Sequence, residues 1–78
     1  MDLTQARSGE VVRVKEILGG QRAVTRLREM GLVEGALIKV IDNPIIGPII
    51  VEVNGTKIAL GRGMAKKVIV EPVGRFPG

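Results

Sequence analysis

The stretch Glu29–Gly35, "EMGLVEG", decides how this 78-residue chain folds. It follows Gln21–Met30, "QRAVTRLREM", in which Ala23, Val24, Leu27 and Met30 fall at helical spacing on one face while Arg22, Arg26, Arg28 and Glu29 point elsewhere. That pattern predicts one short amphipathic helix. Gly31 then stands where a helix ends in the left-handed conformation, which glycine adopts without a Cβ penalty. In such an ending Leu32 folds back onto Leu27, and Gly35 closes a tight turn into the next strand. Leu27, Met30, Gly31 and Gly35 are therefore structural residues, and the glycines turn the backbone rather than cradle a ligand.

On both sides of the helix, apolar and β-branched residues come in short bursts separated by glycine, the mark of short strands. Strands are expected at residues 10–17, 36–41, 49–53, 56–60 and 67–71. Asn54-Gly55 is the strongest hairpin signal in the chain, because a type I′ turn needs positive φ at both central residues. Alternation places Val51 and Val53 on one face with Glu52 on the other, and Val68 and Val70 opposite Lys67, Ile69 and Glu71. The prediction is a mainly β fold, a small five-stranded barrel carrying one short amphipathic helix. Closure would remove exposed strand edges. Residues 1–72 form one domain, and residues 73–78 ("VGRFPG") read as a loose C-terminal tail containing Phe76, the sole aromatic.

One segment fits neither helix nor strand. Asn43–Ile50, "NPIIGPII", sets Pro44, Gly47 and Pro48 among four isoleucines and reads as an unusually apolar hairpin connection. Either it folds over the end of the barrel or it forms an exposed patch for a partner.

Composition closes off several chemistries. There is no Cys and no His, so disulfides, thiolate metal sites and the usual general base near neutral pH are all missing. Serine occurs once, at Ser8, with no Cys, His or Tyr to activate it; no enzyme is expected. The eight carboxylates share no spacing that gathers them on one element, so neither a metal site nor a cofactor is predicted. Gly61–Lys67, "GRGMAKK", lacks the third glycine of a dinucleotide fingerprint and is no nucleotide-binding loop; it is expected to be a tight turn between strands. Apolar runs are far shorter than the roughly 20 residues that span a bilayer, and no export signal opens the chain. The expected location is cytoplasmic, with any membrane association made through a partner.

A net charge of +4 favours acidic partners. Arg13, Lys15, Arg22, Arg26 and Arg28 could contact phosphates, yet the chain lacks aromatic platforms on which bases stack. Binding of RNA or DNA by a small basic barrel is the alternative reading rather than the expected one. Protein binding is favoured instead, with the apolar hairpin connection as its best local hint.

Taken together, four segments resemble the FeoA family, small cytosolic proteins of the bacterial ferrous iron uptake system. They are "LTQARSGE", "RLREMGLVEGALIKV", the Pro-Ile-Ile-Gly-Pro-Ile connection and "IALGRGMAKKVIV". The most specific is the helix ending, where Leu27, Met30, Gly31, Leu32 and Gly35 are similar to the family's Leu-x-x-hydrophobic-Gly-Leu-x-x-Gly pattern. The resemblance implies an SH3-like barrel and a non-enzymatic partner of FeoB, the membrane ferrous transporter with a cytosolic GTPase domain. It leaves open the docking face, self-association and whether the effect is activating or inhibitory. On physical grounds the expected partner-binding residues are Ile45, Ile46, Ile49 and Ile50, with Leu32, Val33, Arg22 and Arg26 nearby in sequence. Gly55, Asn54 and the helix ending are expected to be structural.

Overall fold

The computed structural model describes residues 1–77. A 3₁₀ turn at Leu3–Gln5 is followed by β1 (Glu10–Ile17), α1 (Gln21–Glu29), β2 (Leu37–Asp42), β3 (Ile49–Val53), β4 (Thr56–Leu60), α2 (Arg62–Ala65) and β5 (Val68–Arg75). All pairings are antiparallel, in the order β4-β3-β2-β1-β5. The chain meanders from β1 through β4, and its last strand returns to the far side of β1.

Each strand obeys the two-residue period. Val12 and Val14, Ile38 and Val40, Ile49, Val51 and Val53, and Val68 and Val70 are all buried on the inner face. Leu27 and Leu32 add to this core from α1 and its ending, Leu3 and Ala6 from the N-terminus, and Ala65 from α2. No polar side chain belongs to the core among the described residues. The sheet bends because its ladders slip: between Val11 and Val12 and between Val14 and Glu16 against β5, and between Val40 and Asp42 against β3. Such bulges sharpen the local twist and let a five-stranded sheet wrap one core.

The barrel is not sealed by hydrogen bonds, since no ladder joins β4 to β5. The outer edge of β5 is partly covered instead. Val70 N–H donates to the Met1 carbonyl at 2.8 Å, and Asp2 bridges Ile69. On β4, exposed Lys57 provides the charge that discourages edge-to-edge pairing.

The ending of α1 matches its expected form. Leu32 N–H donates to the Leu27 carbonyl at 3.0 Å and Gly31 N–H to the Arg28 carbonyl at 2.9 Å, with Gly31 at φ +91°. These two bonds form a Schellman motif, and both leucines are fully buried. Arg26 and Arg28 lie in the last turn, where the helix dipole favours cations. Met30, expected on the buried face, is instead the partly exposed C-cap, and α1 buries only Leu27 completely. Asn54 and Gly55, at φ +52° and +78°, make the expected hairpin turn.

Two expectations are corrected. Residues 73–75 are not a loose tail: β5 runs to Arg75, and Phe76 N–H donates to the Gly9 carbonyl at 3.0 Å. Pro72 is tolerated because it sits where the ladder slips, opposite Val12, with Val73 looped out. Gly78 lies outside the described residues. The turn after β4 also differs, forming one helical turn, α2, whose Ala65 is buried.

Adding a side chain at Gly31 tests the reversal. A Cβ there would stand 3.1 Å from Asn54 Nδ2 and 3.2 Å from Val53 Cγ1, in left-handed backbone. Gly31→Val is expected to cost about 2 kcal/mol or more, lowering the melting temperature by about 8 °C or more. Gly35→Ala, at φ +90° but facing open space, should lose only about 1 kcal/mol. Unchanged melting of Gly31→Val would remove the cap from its assigned role.

Candidate functional site

The six residues between β2 and β3, 43–48, are held at their base and at both shoulders. Asn43 secures the base: its backbone N–H donates to Ser8 Oγ at 3.2 Å, and its Nδ2 donates to the carbonyls of Thr4 at 3.0 Å and Ala6 at 2.6 Å. The Asn43 Oδ1 atom is buried without a partner. At the shoulders, Arg62 Nη1 donates to the carbonyls of Pro44 at 2.8 Å and Gly47 at 3.2 Å. Gly47 takes φ +107° to turn the chain back toward β3.

Between those shoulders Ile45 and Ile46 project into solvent, 95% and 88% exposed. Single exposed apolar residues are ordinary. Two adjacent isoleucines at the tip of a loop pinned on both sides are a different matter, because their neighbours are already committed to holding the backbone. Fully burying one such side chain contributes about 1.5–3 kcal/mol. The tip is a store of association energy that the fold leaves unused.

The four isoleucines therefore separate. Ile45 and Ile46 form the tip, Ile50 is half-buried on the outer face of β3, and Ile49 is fully buried. Ile49 is corrected to a core residue, because strand alternation places it with Val51 and Val53. Leu32 is corrected likewise: the Schellman reversal that positions it also removes it from the surface. Val33, Arg22 and Arg26 are exposed, but α1's ending packs at the other end of β3. Gly31 lies against Val53 and Asn54, whereas the loop enters at Ile49, four residues and about 13 Å away along the strand. Proximity in sequence did not become proximity in space. Arg22 and Arg26 instead line a shallow depression of about 520 Å³ with Gln21, Thr25 and Glu29 on the outer side of α1.

Of the cations considered for phosphate contacts, Arg13 faces Glu71 at 3.6 Å and Arg28 faces Glu34 at 3.4 Å. Lys15, Arg22 and Arg26 are exposed. Phe76 is half-buried, with Lys39 Nζ 5.7 Å from its ring centroid. Among the described residues no three Asp or Glu side chains come close enough to share a metal ion.

Sequence reading did not single out Arg62, whose acceptors lie 15 and 18 residues earlier in the chain. No local pattern announces such a bond.

The chain as a whole has counterparts among known proteins. The family model for the FeoA domain matches residues 1–72. A Methanocaldococcus jannaschii protein whose name proposes it as Fe(2+) transport protein A is 46% identical over 69 residues, 88% of this chain and 83% of that one. The crystal structure of an iron uptake regulatory protein, FeoA, superposes with a TM-score of 0.90 at 38% identity, covering 94% of this chain and 97% of that one. Stenotrophomonas maltophilia FeoA, solved with zinc and described as a procaryotic SH3 domain protein, gives a TM-score of 0.80 at 28% identity over 91% and 89% of the two chains.

The division of the isoleucines is measurable by urea unfolding. Ile49→Ala should cost about 2–4 kcal/mol, and Ile46→Ala should stay within about 0.5 kcal/mol of the parent. Equal losses would mean that the tip packs against the domain.

Proposed function

The chain belongs to the FeoA family, and we propose that it is a non-enzymatic accessory protein of ferrous iron uptake, docking on the cytoplasmic portion of the FeoB transporter to tune or assemble it. The observation that carries this reading is the Ile45–Ile46 tip, held on two sides and left in solvent. A ready apolar anchor on a rigid support loses little conformational freedom on docking, so more of its burial energy appears as affinity.

The rest of the chain supports a binding role over a chemical one. With neither His nor Cys, the protein lacks the usual general base near neutral pH and the commonest transition-metal ligand, in keeping with iron as the transporter's cargo. No helix among the described residues is long and apolar enough to cross a membrane, and in this reading the protein meets the bilayer only through its partner, from the cytoplasm. The activating or inhibitory sense of the contact follows from the partner's response, not from the tip. Binding of RNA through Lys15, Arg22 and Arg26 is the competing reading, and its signature differs: phosphate contacts release counterions and weaken steeply with salt, whereas apolar docking does not.

Ile46→Glu should leave the melting temperature unchanged and weaken retention of the labelled protein by detergent-solubilised FeoB of the same organism, with cellular RNA present as competitor. Retention by RNA alone, lost as salt rises, would replace the transporter with nucleic acid. Separately, ferrous iron added under anaerobic conditions should not raise the melting temperature; a clear rise would reveal a metal site in the native state.

A further inference from the structure

We infer that Arg62 is the latch that presents the Ile45–Ile46 tip, a positioning residue for docking; the inference rests on the docking reading above. Its side chain comes from α2, on a different connection from the loop it holds. One nitrogen, Nη1, carries two hydrogens and donates to both Pro44 and Gly47, the residues that flank the two isoleucines. Bonds from a charged guanidinium are shorter and stronger than those between neutral groups. Among the described residues Arg62 makes no ion pair, so its hydrogen bonds to the loop are not in competition with a carboxylate.

The loop needs such a partner at one point in particular. Pro44 and Pro48 have ring-fixed φ angles, which leaves Gly47, at φ +107°, as its freest joint. A glycine hinge next to two exposed isoleucines would ordinarily let them sample many directions or lie down on the domain surface. The bond from Arg62 to the Gly47 carbonyl, paired with the one to Pro44, fixes the span across the tip and leaves the side chains pointing outward. In a four-residue turn such as α2 the helix dipole gives no reason for a cation, and the donors of this side chain go to the loop. Arg62 serves the loop rather than its own helix.

Arg62→Met keeps much of the aliphatic stem and removes the donors, so it separates packing from latching. Its binding to detergent-solubilised FeoB should weaken about tenfold, the scale of one charged hydrogen bond. Backbone NMR order parameters at Ile45 and Ile46 should fall in the free protein while those within β3 stay unchanged, and Arg62→Lys should recover part of both effects through its own donors. Ile46→Glu is measured alongside. If Ile46→Glu loses binding while Arg62→Met binds like the parent, the latch is overturned and the docking reading stands. If Ile46→Glu binds like the parent, the docking reading falls and the latch's purpose falls with it. Should Arg62→Met melt lower, the comparison of loop with β3 order parameters still decides: loosening confined to the loop supports the latch, and equal loosening in both overturns it.

Discussion

The reversal of the chain at Gly31 is the constraint on which the rest of the fold depends. A small sheet can bury its inner face only if something covers it, and here α1 offers one fully buried side chain, Leu27. The left-handed glycine doubles that contribution by returning Leu32 to the core one residue after the C-cap's successor begins to turn. Its backbone passes close to Val53 and Asn54, so the same residue also fixes how α1's ending meets the β3–β4 hairpin. A Cβ would disturb the conformation and the approach at once. Without the reversal, the end of the sheet near Val53 would lie open and the strands would have less to close around.

At the other end the solution is polar. Asn43 and Arg62 hold the β2–β3 loop by hydrogen bonds to backbone carbonyls, with no apolar lid needed above it. This difference explains why one end is sealed and the other presents side chains. Apolar packing draws isoleucines inward, whereas hydrogen bonds to the loop's main chain leave its side chains free to face out. The two ends of β3 thus differ: apolar packing surrounds Val53, and beyond Ile49 hydrogen bonds hold a loop whose tip is exposed.

Much of the fold was legible because short-range rules govern it. The periods of two and 3.6, the Asn54-Gly55 turn and the glycine ending of α1 each depend on neighbours within a few residues. The same rules contained signals left unused: alternation through Val51 and Val53 already places Ile49 inside, and the back-fold of Leu32 already buries it. Asp2 and Gln5 have the spacing of a capping box, and they form one at Leu3–Gln5. What could not be read were the long-range partners. The latch from Arg62 to the loop, the pairing of Phe76 with Gly9 and the distance between α1's ending and the isoleucine tip all depend on the completed topology. The sequence thus drew attention to the isoleucine segment, while which isoleucines stand exposed, what holds them and how far they lie from α1's ending were supplied only by the fold.

The return of β5 to the far side of β1 has a consequence for the order of folding. Glu10 pairs with Arg75, and Val14 with Val70, so the longest ladder in the sheet joins the first strand made to the last. Until β5 is in place, β1 has β2 on one side and bare backbone on the other, and Val12 and Val14 lack the cover of Val68 and Val70. Pairing over such a sequence separation is slow compared with local helix formation, because the intervening loop must close before any contact rewards it. Until that pairing forms, this edge and its valines are open to unwanted partnerships. Completion of the fold thus waits on β5, and a chain lacking that strand would have every other element but no finished sheet.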